Sequence, residues 1–210
     1  MSFNMNTIGE VSVTVSMSVY LVWFFPQIWL NFKRHNTEGL SLSMHGILCL
    51  AYLSDLIYGF GLGMQWQYRV VTVSGLLSLA IQHYQFGRFG LHRRSQVLTY
   101  LMFSALCSGL LLLIIWLLVL KSYPHHFYDM VGMLSNILWL SYALPQIVKN
   151  FVLKSTVGLS PYFVGIALFL NLCDTTSAWA LHWDYPSKVG VCIAWIEDSI
   201  LLVQVIRYAK

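Results

Sequence analysis

Apolar residues along this chain gather into long runs instead of alternating or following one helical stripe. Runs bounded by charged residues or by Gly and Pro cover about 8–31, 41–62, 69–87, 96–120, 128–150, 160–181 and 188–207. Each approaches the roughly 20 residues that cross a bilayer as a helix. The connections between them are short, and no Pro-rich or Ser-rich linker interrupts the chain, so residues 1–210 are expected to form a single transmembrane domain without a soluble module.

The runs repeat. Displacing the sequence by 119 residues brings Pro26 onto Pro145, and between positions 20 and 58 it matches 14 of 39 residues without a gap, among them Gln27, Asn31, Gly39, Ser41 and Asp55. Average residue frequencies would match about two or three. The register persists in the third run of each unit, where Val70, Ile81, Gln85 and Arg88 fall on Val189, Ile200, Gln204 and Arg207. Such self-similarity is the mark of a duplication. The predicted organisation is a first triple-helix repeat at 8–90, a linker helix at 95–121 and a second repeat at 127–209. Both units carry basic residues at equivalent ends, so they must share one orientation, and three spans per unit then require an extra crossing. The run after Ser95 supplies it, with no Asp, Glu, Lys, Arg or His as far as Leu120. The fold class expected is an all-α membrane protein of seven helices in a 3+1+3 arrangement, two parallel three-helix bundles and a linker.

Composition agrees with that pattern: 58% of residues are hydrophobic, 10% are charged, and the mean hydropathy is +0.66. A soluble domain carries about 25% charged residues. The net charge of +4 does not point to nucleic acid, because the basic residues sit in short loops and not on one face or tail. With the N-terminus outside, nine Lys and Arg lie at cytoplasmic ends, from Lys33 to Lys210, against Arg69, Lys121 and Lys188 at outer ends. That asymmetry sets the expected orientation and leaves the C-terminus cytoplasmic. The N-terminus lacks a basic region and cleavage site and reads as a retained first helix. The cysteines, Cys49, Cys107, Cys173 and Cys192, fall inside apolar runs without metal-ligand spacing and read as packing residues. There is no N-x-Ser/Thr sequon.

Against this apolar background a few polar residues are conspicuous. Pro26-Gln27 and Pro145-Gln146 occupy equivalent positions near one end of their spans. Proline removes a backbone bond and crowds the preceding turn, and the glutamine amides offer donors and acceptors to nearby backbone or to a neighbouring helix, so the two pairs are predicted to be hinges or gates. Asp55, Asp174, Glu197 and Asp198 lie within spans that hold no Lys or Arg at comparable depth. A carboxylate in the bilayer interior is costly and functional by default, and a carboxyl so placed is equipped to bind and release a proton. Asp198, Glu197 and Asp174 are the proton-coupling candidates. Adjacent residues on a helix point about 100° apart, so only one of Glu197 and Asp198 can face a cavity squarely. Asn171, three residues before Asp174, and its repeat counterpart Tyr52 are predicted to make a polar floor where the bundles meet, and with Asp55 and Gln204 they are the substrate-binding candidates. His45 and His83 are expected to be packed histidines. His125 and His126 are neighbours, without the i, i+4 spacing of a ligand pair. Trp66, Tyr68, Tyr123, Trp183 and Tyr185 suit an interfacial belt. No enzyme motif, cofactor site or metal site is expected.

At "FPQIWLNFKRHNTEGLS" and "LPQIVKNFVLKSTVGLS" the chain resembles the PQ-loop transporter family, which includes cystinosin, the lysosomal cationic amino-acid exporters and, more distantly, the SWEET sugar carriers. The resemblance implies alternating access between two triple-helix bundles and, in its amino-acid members, proton-coupled export. It also implies that Asp198, six residues before Gln204, corresponds to the last-helix Asp of cystinosin's proton pathway. Two departures stand out. Ala167 replaces a second coupling acid, and Asn171 falls where the cationic amino-acid exporters carry an Asn. The expected function is a proton-coupled carrier of a small cationic or cystine-like amino acid, with a sugar uniporter and a substrate-gated receptor or scaffold as alternatives. Its expected partners are an amino acid, protons and the lipid bilayer, without nucleic acid and with homo-oligomer formation left open. A bacterial inner membrane is the favoured location, with a lysosomal-type membrane as the alternative.

Overall fold

The structure, a computed structural model, describes residues 4–90, 104, 108–109, 111, 114–115, 123–183 and 185–208. These residues form helices and turns, with no strand among them. The helices are α1 (Met5–Trp23), α2 (Phe25–Arg34), α3 (Leu42–Gly61), α4 (Trp66–Phe89), α5 (His125–Trp139), α6 (Leu144–Leu153), α7 (Pro161–Ala180) and α8 (Tyr185–Tyr208). Two pairs are single spans broken in the middle: α1 and α2 make up Met5–Arg34, and α5 and α6 make up His125–Leu153. Among the described residues five spans are long and apolar enough to cross a membrane, namely these two, Leu42–Gly61, Pro161–Ala180 and Ser187–Tyr208. The run predicted at 69–87 lies inside α4, whose Arg69, Gln82, His83, Gln85 and Arg88 keep it out of that set. The predicted linker at 96–120 lies outside the described residues except for a few scattered positions.

The breaks follow from local chemistry. A proline is tolerated in the first turn of a helix, where its missing N–H would have no partner anyway. Pro26 and Pro145 take that place as the second residues of α2 and α6, so the chain yields just ahead of them, at Phe24 and at Leu140–Ala143. Both short helices end on a left-handed residue, His35 and Lys154, each at φ 48°. Serine then restarts the chain. The Oγ of Ser41 accepts from Met44 N at 3.3 Å and that of Ser160 from Phe163 N at 3.4 Å, capping α3 and α7.

Packing exchanges partners between the repeats: α1 lies against α7, and α5 against α3. The core sits where they meet, around Trp23, Phe24, Leu48, Tyr52, Phe163 and Leu170. Large apolar side chains such as Phe25, Trp29, Leu77, Ile137 and Ile206 are exposed on the outside of the bundle; that arrangement suits lipid, where such groups meet a solvent like themselves. Cys49 and Cys173 are buried as expected of packing residues, but Cys192 is exposed on α8, and Cys107 lies outside the described residues.

Candidate functional site

A cavity of about 380 Å³ opens between the halves. Its walls come from α1, α3, α4, α5, α7 and α8, and its rim includes Met64, Gln65 and Trp183 at the turns joining α3 to α4 and α7 to α8. Asp55, Asp174 and Asp198 all line it, together with Tyr52 and Asn171, so five of the predicted site residues are brought to one place. Its lining residues include no Lys, Arg or His. His45 lies elsewhere, buried with Nδ1 3.0 Å from the Ser41 carbonyl and Nε2 bonded to Gln82.

Asp55 and Asp174 are each gripped from the opposite repeat, Asp55 with one further donor from its own. Asp55 on α3 accepts hydrogen bonds from Ser135 Oγ and from Trp139 Nε1 at 2.8 Å, both on α5, and from Tyr68 Oη at 2.5 Å on α4. Asp174 on α7 accepts from Ser16 Oγ at 2.6 Å and Tyr20 Oη at 2.9 Å, both on α1. The 119-residue displacement maps Ser16 to Ser135, Tyr20 to Trp139 and Asp55 to Asp174, so the two clamps are one device built twice. Sequence reasoning missed the donors. Ser16 and Ser135 lie four residues ahead of the 20–58 stretch and its counterpart, at the same 119-residue spacing.

Asp198 breaks the symmetry, since its counterpart is Leu79. It accepts from Asn171 Nδ2 at 2.9 Å and from Tyr142 Oη at 3.2 Å. Tyr142 is another donor absent from the sequence-level candidates; it lies in the unwound Leu140–Ala143 stretch, which frees it from a helical direction. Glu197, one residue earlier, does not line the cavity. It is 4% exposed, and its Oε2 has no hydrogen-bond partner among the described residues.

The opposite end of the cavity is sealed by the Pro-Gln motifs. Gln27 Nε2 donates to the Gly158 carbonyl and to Asn31 Oδ1, both at 2.8 Å, while Ser160 N donates to Gln27 Oε1 at 2.7 Å. Gln146 repeats the arrangement on the Gly39 carbonyl at 2.9 Å, Asn150 Oδ1 at 2.7 Å and Ser41 N at 2.6 Å. Each glutamine thus ties down the loop of the other half. Behind them Asn31 donates to Gln85 at 2.8 Å and Asn150 to Gln204 at 2.9 Å. Gln204 is accordingly a seal residue and not a cavity residue: its Nε2 is engaged by the Ile147 carbonyl at 3.0 Å, and neither end of its amide faces the cavity. The loops touch at Gly39 and Gly158, where a Cβ on Gly39 would lie 1.9 Å from the Val157 carbonyl oxygen.

One seal contact has no twin. Lys149 Nζ donates to the carbonyls of Glu38 and Leu40, the latter at 2.7 Å, whereas position 30 in the first repeat is leucine. Ammonium bonds of this sort are among the stronger hydrogen bonds. Lys149→Leu is expected to loosen the first loop and raise hydrogen exchange across residues 37–41, with little change at 156–160; equal exchange in variant and parent would remove the asymmetry.

The arrangement is that of a duplicated helical membrane bundle with a cavity between its halves, closed at one end by loops of both. Its fold matches the 3.7 Å resolution structure of a eukaryotic SWEET transporter with a TM-score of 0.69, covering 98% of each chain at 14% identity, a likeness of fold. Over 95 residues it is 26% identical to the vacuolar lysine transporter YPQ1 of Saccharomyces cerevisiae; the matched stretch is 43% of this chain and spans 31% of that relative's length. The PQ loop repeat family model matches residues 8–68 and 127–187, more than half of the sequence, and the chain belongs to that family.

Proposed function

We propose that this integral membrane protein is a proton-coupled secondary transporter of a small cationic or cystine-like amino acid, working by alternating access. The observation that carries this reading is the cavity between the two repeats, sealed at one end, with Asp198 on its wall and bonded to the unwound turn of the Pro145 hinge. Seven helices in two parallel triple-helix repeats, 8–90 and 127–209, joined by a linker at 95–121, are the framework of the proposal. With the Pro-Gln face cytoplasmic, the described conformation opens outward. Asp198 carries the coupling proton in this scheme, Asp174 holds a proton that it gives up when cargo takes its place, and Asn171, Tyr52 and Asp55 contact the substrate. Gln27 and Gln146 serve as the gate, which parts when the chain re-bends at Phe24 and at Leu140–Ala143, ahead of Pro26 and Pro145.

The coupling step follows from the bonds of Asp198. As an anion it accepts from Tyr142 and Asn171; once protonated it must donate one bond of its own, and the hold on Tyr142 changes. Tyr142 lies in the unwound turn ahead of Pro145, so a proton arriving on Asp198 is felt at the hinge. The lysine transporter named above supports an amino-acid cargo.

Uptake of labelled lysine, arginine and cystine into proteoliposomes with and without a pH gradient tests the reading. Accumulation driven by the gradient is expected for at least one of them, and gradient-insensitive uptake would remove the coupling. A sugar uniporter draws its support from the SWEET-like fold and from Trp23, Trp139 and Trp183 on the cavity wall. Glucose or sucrose uptake without proton current would establish it instead.

A further inference from the structure

We infer that the cavity recognises two ammonium groups of its cargo and makes no ionic contact with a carboxylate, so that diamines compete with dibasic amino acids on near-equal terms. The inference deepens the transport reading and rests on it for the cargo's passage, though not for its binding.

Charge balance within the cavity leads there. Three carboxyl groups, those of Asp55, Asp174 and Asp198, line it, and the lining residues contribute no cation. Among the described residues the recorded ion pair is His125 with Asp129, away from these acids. An anion buried without a cation is costly, so each group needs either a proton or a positive charge brought from outside. The protein prepares Asp55 and Asp174 for the latter. Their donors, Tyr68, Ser135 and Trp139 on one and Ser16 and Tyr20 on the other, take the place of water around a carboxylate. A carboxylate offers about four acceptor sites; three donors on Asp55 and two on Asp174 leave both able to take an ammonium. The two groups belong to different halves, on α3 and α7, in equivalent clamps, so the site presents two like receptors for a ligand with two like ends.

The rest of the wall fits the same ligand. Tyr20, Trp23, Tyr52, Trp139 and Trp183 put aromatic side chains on the wall, a residue class that attracts cations and can cover a methylene chain. A ligand carboxylate, by contrast, would find three acids and only neutral donors such as Asn136 and Gln65.

Lysine can be taken apart to test this. Cadaverine keeps both ammonium groups and lacks the carboxylate, whereas norleucine keeps the carboxylate and lacks the side-chain ammonium. In competition with labelled lysine on the unaltered protein in proteoliposomes, cadaverine is expected to inhibit within about threefold of unlabelled lysine, and norleucine to require at least about tenfold more, a gap of 1.4 kcal/mol or greater. Norleucine equal to cadaverine, or cadaverine without effect, overturns the inference. Thermal stabilisation of the purified protein by cadaverine separates it from the transport reading. Stabilisation without lysine uptake leaves the ligand assignment standing and removes transport; lysine uptake with no stabilisation by cadaverine does the reverse. Asp55→Asn and Asp174→Asn should each lower cadaverine stabilisation, and if either variant fails to fold, the competition on the parent protein still decides.

Discussion

Asp198→Asn is expected to abolish gradient-driven accumulation of substrate while leaving the protein folded and able to exchange substrate. The substitution keeps the side chain's shape and a carbonyl oxygen for one of the donors, Tyr142 or Asn171, and the tyrosine hydroxyl can turn to accept from the new amide. What disappears is the capacity to carry a proton. Replacing a buried carboxyl by a neutral isostere also removes the cost of a charge held out of water, so thermal stability should not fall. Glu197→Gln gives a contrast. Its carboxyl is buried outside the cavity, and an amide matches it in shape, so accumulation should persist with altered kinetics. Uphill uptake set against counterflow separates these outcomes. An Asp198→Asn protein that still concentrates substrate on a pH gradient would take the proton role away from this residue.

Gly39→Ala is expected to have the second large effect, this time on the seal. Its Cβ would meet a main-chain oxygen at 1.9 Å, and main chain cannot swing aside as a side-chain tip does. Gly158 is similarly constrained: at φ +102° a residue with a Cβ is strained, by about 1–3 kcal/mol, and its Cβ would fall 2.9 Å from the Gly39 Cα. Either change should hold the loops apart, release the Gln27 and Gln146 bonds and raise hydrogen exchange over residues 24–31 and 143–150. The rim around Met64 and Gln65 should exchange as before. A reduced apparent melting temperature and lost transport would accompany it, because the closed state could no longer form. Unchanged protection at Gln146 would mean that the seal does not depend on these glycines.

Much of this architecture was legible from residue order. Runs of apolar residues mark helices because lipid leaves the backbone no other partner. A duplicated pattern marks two equivalent halves because the same local choices, a proline in the first turn, a left-handed end and a serine cap, produce the same breaks twice. The presence of acids in apolar spans likewise marked the cavity, since such groups are seldom left in lipid without a purpose. Gln204 misled for a related reason. It shares a helix and a spacing with Asp198, but spacing does not say toward which neighbour a side chain turns, and packing of α8 against α6 directs it to Asn150 in the seal.

The sequence by itself determined the membrane-embedded, duplicated helical chain, the places where it bends and the acids it must accommodate, because these depend on each residue's own solubility and backbone freedom. Only the tertiary structure decided that Asp198 and not Glu197 faces the cavity, that Asp55 and Asp174 are each gripped from the opposite half, and that the glutamines close the far end by gripping opposing loops. Those outcomes depend on how each helix is rotated about its axis and which neighbour it meets, and that is set by packing between segments more than a hundred residues apart in the chain, as in the bond from Ser16 to Asp174.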